Sequence, residues 1–413
     1  MKIYLFTNQF PFGKGEIFIK DELETSTSSQ EEINICPLEY KKNETDNEYK
    51  NLILSPRFKP YDWAIVLCNC VLCLPLLREI KFLVCSKKIH LNTLKRALVF
   101  WILANVKRRK IELIIKQDNN KDDQIVCYSY WATTTALAIT LIKRNRKILG
   151  ISRAHGIDLY ETRHRYEYLP FRYEIYTKLD KLFLISKSGE KYIKTHYFFS
   201  SKIKSEVSKL GTQDYGINKE NEYSKLVLVS CSSVIEIKRV HLILDCLSTI
   251  NNIKIEWHHF GTGELFRDLE NRVKKSKNRN LTCNLWGFQK KDTIMNFYRH
   301  NKIDLFINVS TTEGLPVSMM EAISFGIPII ATDVGGTNEI VINNITGWLI
   351  DKDKVESELK DALVTYYWLS KSEKTKIRNS TRKFWEENFN SKCNYYNFYE
   401  DIKELVHEKI EDI

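Results

Sequence analysis

From residue 226 onward the chain alternates short apolar runs with helical stretches, and this alternation narrows the fold more than any other feature. LVLVSCSS (226–233) reads as an apolar strand ending in small polar residues, with Lys238–Ile250 following as a helix. IKIEWHHFG (253–261) is a second strand, closed by Gly261-Thr262-Gly263, and Glu264–Lys275 is helical. LTCNLWGF gives a third strand before a helix around Asp292–Arg299, and IDLFINVS (303–310) gives a fourth. A helix near Pro316, the strand IPIIATD (327–333) and a short helix from Thr337 complete the series. Repeated βα units of this length imply a parallel, doubly wound sheet. Ligands of such sheets bind beyond the carboxyl ends of the strands. Ser232, Gly261, Ser310 and Glu313 all fall at such ends, so one crevice can collect them.

The stretch EGLPVSMMEA (313–322) lies at one of these ends and sets Glu313 and Glu321 across a helix start with seven residues between them. Pro316 suits the first helical position, because its missing N–H would be unpaired there and its φ is already helical. The amides of Val317 and Ser318 then project as an anion seat. Glu321 is expected about 8 Å further along the axis, at roughly 1.5 Å per residue. Carboxylate, anion seat and second carboxylate suit a ligand with a hydroxyl-rich head, a diphosphate and a second diol. A nucleotide-activated sugar has those three parts.

Glu313–Gly314–Leu315–Pro316, Glu321–Ala322, Gly326–Ile327–Pro328, Gly335–Gly336–Thr337 and Glu339 together resemble the signature of the retaining glycosyltransferases of family 4. The resemblance implies an α/β chain of GT-B fold, with two Rossmann-like domains facing a central cleft and a last helix crossing back to the first. The expected boundaries are 1–210 for an acceptor-binding domain, 211–385 for a nucleotide-sugar-binding domain and 386–413 for the crossover helix. In the N-terminal half, MKIYLFTNQF, INICPLEY, QIVCYSYW, KILGISRAHG and KLFLISKS read as strands, and residues 41–50 as a loop.

The resemblance also implies roles. Lys238 matches a basic residue that touches the donor phosphates, with Arg239 beside it. Ser232 stands where many relatives carry an arginine, which leaves more of that task to Lys238 and the helix amides. Glu313 resembles the residue near the reacting carbon of the transferred sugar, and Glu321 the one that binds the ribose diol. Gly314, Leu315 and Val317 accompany them on the donor side, as do Gly261 and Gly263, whose turn would let backbone approach the nucleotide. His155, in ISRAHGIDLY (151–160), matches a histidine aimed at the donor sugar. Gly15 and Glu16, in FPFGKGEIFIKDEL (10–23), resemble an acceptor-side loop. Glu16 is open to two readings, a proton acceptor for the acceptor hydroxyl or an ordinary turn before a helix. His258 and His259 read as scaffolding. Asp351-Lys352-Asp353 imitates a metal motif but reads as a turn, and no metal or other cofactor is expected.

At 413 residues and 43% hydrophobic composition the chain is long enough for two cores. Its ten cysteines are scattered or lie in apolar runs, as in a reduced chain. Cys68, Cys70, Cys73 and Cys85 read as apolar packing rather than a zinc site. The N-terminus reads as a buried strand rather than a signal peptide, and no apolar run reaches the roughly 20 residues needed to span a bilayer.

Charge is concentrated in one place. Between Arg57 and Lys110 there are 12 Lys/Arg against 2 Asp/Glu, a local +10 within a total of +11. Apolar helices alternate there with basic clusters, ending in Lys107–Arg108–Arg109–Lys110. That pattern suits the surface of an anionic membrane, the alternative being helices packed on the core with solvated lysines. No nucleic-acid motif accompanies it. The expected activity is transfer of a sugar from a nucleotide diphosphate, with retention, to a lipid-linked oligosaccharide for a surface polysaccharide. The setting is cytoplasmic, peripheral on the inner face of the membrane. A nucleotide-sugar epimerase and a non-catalytic nucleotide-sugar-binding protein are the alternatives.

Overall fold

The computed structural model describes the chain apart from residues 14–15, 17, 27–31, 40–48, 72–73, 118–123, 143–147, 220–224 and 412–413. Two compact units result, Met1–Ser208 with Asn397–Ile413, and Lys209–Tyr396. Gly15, Cys73 and most of the expected loop at 41–50 lie outside the described residues.

The first unit runs β1 (Lys2–Thr7), α1 (Ile19–Ser26), β2 (Glu32–Pro37), α2 (Pro60–Val71), α3 (Leu74–Cys85), α4 (Leu91–Gln117) and β3 (Ile125–Ser129). It continues through α5 (Thr134–Ile142), β4 (Ile148–Ala154), α6 (Arg172–Lys178), β5 (Lys181–Leu184), α7 (Lys187–His196) and β6 (Ser205–Val207). Its sheet has the order β2-β1-β3-β4-β5-β6, with every pairing parallel. Side chains alternate across the strands. Tyr4 and Phe6 join a core with Leu83, Trp101 and Ala136. Ile3 and Leu5 join another with Ile19, Phe398, Tyr399 and Ile402. Parallel strands buried on both faces read as near-continuous apolar runs, which is why these strands are visible in the sequence.

The second unit runs β7 (Leu226–Cys231), α8 (Val240–Ser248), β8 (Ile255–Phe260), α9 (Phe266–Lys275), β9 (Leu281–Leu285), α10 (Lys291–His300) and β10 (Leu305–Asn308). α11 (Val317–Ser324), β11 (Ile329–Thr332), β12 (Gly347–Ile350), α12 (Val355–Trp368) and α13 (Lys371–Asn388) follow, and α14 (Ser391–Glu411) starts in this unit but belongs to the first from Asn397 on. The sheet order is β12-β11-β10-β7-β8-β9, again all parallel. Both units are thus α/β with a doubly wound sheet, the pair of domains expected of a GT-B fold.

Three local expectations are corrected. Lys238 does not open a helix. It ends a 3-10 turn, Arg239 takes a left-handed φ of 47°, and α8 starts at Val240. Pro316 is the cap and not the first helical residue: its ψ of 115° is extended, while its carbonyl accepts from Met319 and Met320. The single helix expected from 386 is broken at Phe389–Asn390. There the Thr212 amide binds the Phe389 carbonyl and the Ser391 amide binds that of Thr212.

The basic cluster closing α4 is largely tied inward. Lys107 pairs with Glu39 at 2.6 Å and Arg109 with Asp62 at 2.7 Å, while Lys110 donates to the Leu38 carbonyl at 2.6 Å. Many apolar residues of the same segment face outward instead: Trp63, Leu67, Val71, Leu74, Leu77, Val84, Leu91, Leu98 and Leu103 are all exposed. Among the described residues no single helix is long and apolar enough to cross a membrane. α2 and α3 taken together, bent by 44°, meet that test by length and composition.

Candidate functional site

The carboxyl ends of β7 and β10 in the second unit bring together most of the residues singled out above. Glu313 is buried in the loop after β10, and one of its oxygens, Oε1, is the centre of the arrangement. It accepts from Lys238 Nζ at 2.6 Å, from Ser310 Oγ at 2.6 Å and from Asn308 Nδ2 at 3.1 Å. Burial alone would raise the Glu313 pKa. The Lys238 charge and the bonds from Lys238, Ser310 and Asn308 outweigh it and hold the carboxyl below the usual value. The chain therefore keeps an ionised carboxylate in a site nearly closed to water.

Ser310 is itself held: its amide donates to Asn308 Oδ1 at 3.0 Å, and its carbonyl accepts from Thr332 Oγ1 at 2.6 Å. Gly335, at φ 57°, lies so close that a Cβ there would collide with the Glu313 carbonyl oxygen. Next to it the Gly336 amide donates to the Gly314 carbonyl at 2.9 Å. The glycine pair thus brings the β11 loop directly onto the Glu313 loop, a fit that no side chain at Gly335 allows.

Leu315 is buried behind this loop, and Val317 and Ser318 give the first amides of α11, which have no partner inside a helix. Glu321, on the next turn, pairs with Lys291 at the start of α10, at 3.2 Å. Burial, and then the nearby charge of Glu321, push the Cys231 thiol up to about 12, while Lys238 works the other way. Both charged residues therefore lie near the end of β7.

Other residues take different places. Arg239 turns away from Glu313 and braces backbone, donating to the carbonyls of Val309 (2.9 Å), Lys352 (2.7 Å) and Ser310 (3.4 Å). This differs from the expectation that Arg239 is a donor-binding residue. Gly261 and Gly263 do permit a close approach, but the neighbour is the backbone of Ser232 and Val234, where a Cβ would collide. The Val234 amide binds the Thr262 carbonyl at 3.1 Å. The glycine turn thus fixes the loop that carries Lys238.

His258 sits between Glu256 (3.1 Å) and the Trp286 indole N–H (3.1 Å), and His259 Nδ1 meets Ser230 Oγ at 2.8 Å. Burial lowers the His259 pKa to about 4. His258 is thus engaged at both ring nitrogens, whereas His259 Nε2 is buried without a hydrogen-bond partner. Asp351 Oδ1 accepts from the Asp353 amide at 2.8 Å, which makes that segment a turn.

In the first unit, His155 is packed among Trp131 (ring centroids 4.5 Å apart), Tyr130 (4.9 Å) and Phe18 (6.4 Å). Its amide donates to Asp158 Oδ1 at 2.7 Å and its Nδ1 lies 3.6 Å from Asp158 Oδ2, beyond hydrogen-bond distance, so neither buried ring nitrogen has a hydrogen-bond partner. Buried polar atoms are nearly always paired, so this imidazole is a candidate for a ligand. Burial alone would raise the Asp158 pKa. The His155 ring and the amides of His155 and Ala132 outweigh it, and the value is lowered.

Glu16 is also buried, with both oxygens engaged. Oε1 takes the Asn8 amide and the Trp131 indole, and Oε2 takes the amides of Gln9 (2.7 Å) and Phe10 (2.8 Å). Of the two readings open for Glu16, these bonds favour the turn.

Asn308 and Lys291 were missed as site residues. No local signal marks them, since a strand asparagine and a lysine opening a helix are ordinary.

Residues 215–383 match the family model of the glycosyl transferases group 1. Over 98% of this chain and 99% of the other, the structure is similar to a lipopolysaccharide outer core galactosyltransferase, with a TM-score of 0.66 at 15% identity. The chain has the GT-B fold. An uncharacterized glycosyltransferase of Methanocaldococcus jannaschii is 26% identical over 238 residues, 57% of this chain and 64% of the relative. A UDP-Gal:alpha-D-GlcNAc-diphosphoundecaprenol alpha-1,3-galactosyltransferase of Escherichia coli is 32% identical over 97 residues, 24% of each. The chain thus spans less than two thirds of the length of these curated relatives.

Proposed function

We propose that this GT-B chain is a retaining glycosyltransferase, moving a sugar from a nucleotide-diphosphate donor bound by the second unit to an acceptor bound by the first. The observation that carries the reading is the buried, ionised Glu313 carboxylate, gripped by Lys238, Ser310 and Asn308 at the strand ends. Preorganised charge of this kind is worth several kcal/mol of barrier where charge develops in a dry site. Lys238 meets the leaving diphosphate together with the amides of Val317 and Ser318, which gives the phosphates positive charge without a metal. Glu321 accepts from the ribose hydroxyls, with Lys291 fixing its carboxylate. Glu313 orients the transferred sugar, and His155 is the first unit's contribution to the chemistry.

The acceptor is a lipid-linked oligosaccharide in surface polysaccharide synthesis, reached from the cytoplasmic face of a membrane. The relative acting on a diphosphoundecaprenol-linked sugar supports this class, as do the exposed apolar residues of α2–α4.

A thermal-shift series with UDP, GDP, ADP and CMP, with and without chelator, tests the donor site. One nucleotide should stabilise the chain, the shift should survive chelation, and Glu321→Ala should abolish it. A shift that disappears on chelation would remove the metal-free reading. A shift retained in Glu321→Ala would remove the assignment of Glu321. Anomeric NMR of the product with the matching sugar nucleotide then decides between retention and inversion.

A further inference from the structure

A cavity of about 340 Å³ lies in the first unit, lined by residues of α3, of the 169–174 segment and of the 197–199 turn. Its size falls within the small-molecule range of roughly 300–1,000 Å³. Phe82, Cys85, Leu169, Tyr173, Phe198 and Phe199 make it predominantly apolar. Nothing in the donor chemistry uses it.

Three observations indicate what fills it. The first is its place on α3. At 100° per residue, Leu74, Leu77 and Val84 share one side of that helix, and the cavity-lining Arg78, Lys81 and Cys85 lie immediately beside them. Leu74, Leu77 and Val84 are 60%, 61% and 53% exposed, so the cavity adjoins the apolar surface of α2–α4. Phe198 is 85% exposed although it lines the cavity.

The second is charge. Arg78, Lys81 and Arg172 line the cavity against Glu79 and Glu174. Glu79 accepts from the Tyr168 hydroxyl at 2.6 Å, and burial raises its pKa toward the neutral form. Arg78 pairs with Glu174 at 2.8 Å, which leaves a positive surplus at the wall.

The third is an orphan donor. Arg172 is buried, and its Nε and Nη1 donate to the carbonyls of Pro170, Ala132 and Asp158, but its Nη2 has no hydrogen-bond partner.

We propose that this cavity takes the hydrocarbon chain of an anionic membrane lipid, with Arg78 and Lys81 meeting the headgroup. The inference deepens the membrane reading above and rests on it. An apolar cavity beside an apolar helical face lets a chain leave the bilayer without crossing water, and a cationic rim selects an anionic head.

The test uses the full chain and alkyl phosphates from hexyl to dodecyl, kept below their micellar concentrations, by calorimetric titration. Affinity should rise roughly tenfold for each two methylenes buried and stop rising once the cavity is full. Cys85→Trp should weaken dodecyl phosphate at least about tenfold by filling the cavity. Leu77→Trp, on the exposed side of the same helix, should bind as the native chain does. Should Cys85→Trp fail to fold, the native thiol reports instead. Cys85 and Cys393 are both free and exposed, and dodecyl phosphate should protect Cys85, but not Cys393, from iodoacetamide as read by peptide mass mapping.

Equal protection of both thiols, or undiminished binding in folded Cys85→Trp, overturns the proposal. Sedimentation with vesicles of phosphatidylglycerol and phosphatidylcholine separates it from the reading it rests on. Vesicle binding without alkyl phosphate binding overturns the cavity assignment and leaves the membrane reading standing. Alkyl phosphate binding without vesicle binding overturns the membrane reading and, with it, a membrane lipid as the occupant.

Discussion

Replacing Lys238 by methionine removes one charge from the centre of the second unit while keeping a side chain of similar length. In the native chain the buried Glu313 stays ionised because Lys238 and the bonds from Lys238, Ser310 and Asn308 outweigh burial. Removing one partner of a fully buried pair costs about 3–5 kcal/mol. The Lys238 side chain keeps 21% of its exposure, so water replaces part of what the ammonium supplied, and two donors remain on Oε1. The expected loss is therefore ~1–3 kcal/mol.

Its pH dependence follows from the sign of the shift. The folded pKa of native Glu313 lies below its ordinary 4.5. The stabilisation it gives is complete above that value and is lost as pH falls through the lower folded pKa. In the variant burial prevails, the folded pKa moves above the ordinary value, and the carboxylate opposes folding at neutral pH. That penalty is relieved as pH falls through the raised value, so the two chains should converge in acid. Urea unfolding followed by tryptophan fluorescence, from about pH 8 to about pH 5, measures the gap. The same substitution made in Glu313→Gln should cost much less, because no buried charge is then abandoned. A gap that does not change with pH, or an equal cost in both backgrounds, would refute the electrostatic account.

Three further outcomes are expected. His259 has a folded pKa of about 4 against an ordinary 6.5, so the unfolded chain binds the proton first and stability falls as pH drops between those values. His259→Gln should remove about 3 kcal/mol of that acid-side loss, readable from urea midpoints across the window. Gly335→Ala would set a Cβ against the Glu313 carbonyl at a positive φ, and should lower stability by about 2 kcal/mol or more and abolish the nucleotide thermal shift. Glu16→Ala should cost ~2 kcal/mol by leaving its amides unpaired, while Glu16→Gln, which keeps an acceptor oxygen, should lose less and retain turnover. Full stability with no turnover in Glu16→Gln would favour the proton-acceptor reading.

What the sequence shows of this fold follows from how strands are buried. The interior strands are visible because parallel pairing covers both faces and leaves apolar runs such as LVLVSC and LFIN. β6 and β12 went unrecognised, and each lies at a sheet edge. SEV is three half-buried residues, and GWLI is four residues of which the middle two, on opposite faces, are only half-buried, so neither carries enough pattern to be read alone. The site divides in the same way. Glu313 and Lys238 are marked by local spacing, whereas Asn308 and Lys291 join only when β10 and α10 are set beside the loop.

Lys238 and Arg239 make the physical reason plain. They stand side by side in the sequence at the expected start of a helix, Lys238 matched to the donor phosphates and Arg239 placed among the donor-binding residues. The 3-10 turn and the left-handed Arg239 separate them. Lys238 meets the Glu313 carboxylate, and Arg239 binds the carbonyls of Val309 and Ser310. Ser310 is the same residue whose hydroxyl grips Glu313. Arg239 thus acts on the carboxylate at one remove, by holding the strand end that presents Ser310. A single backbone dihedral decides which cation touches the site and which supports it, and residue identity carries no record of that choice.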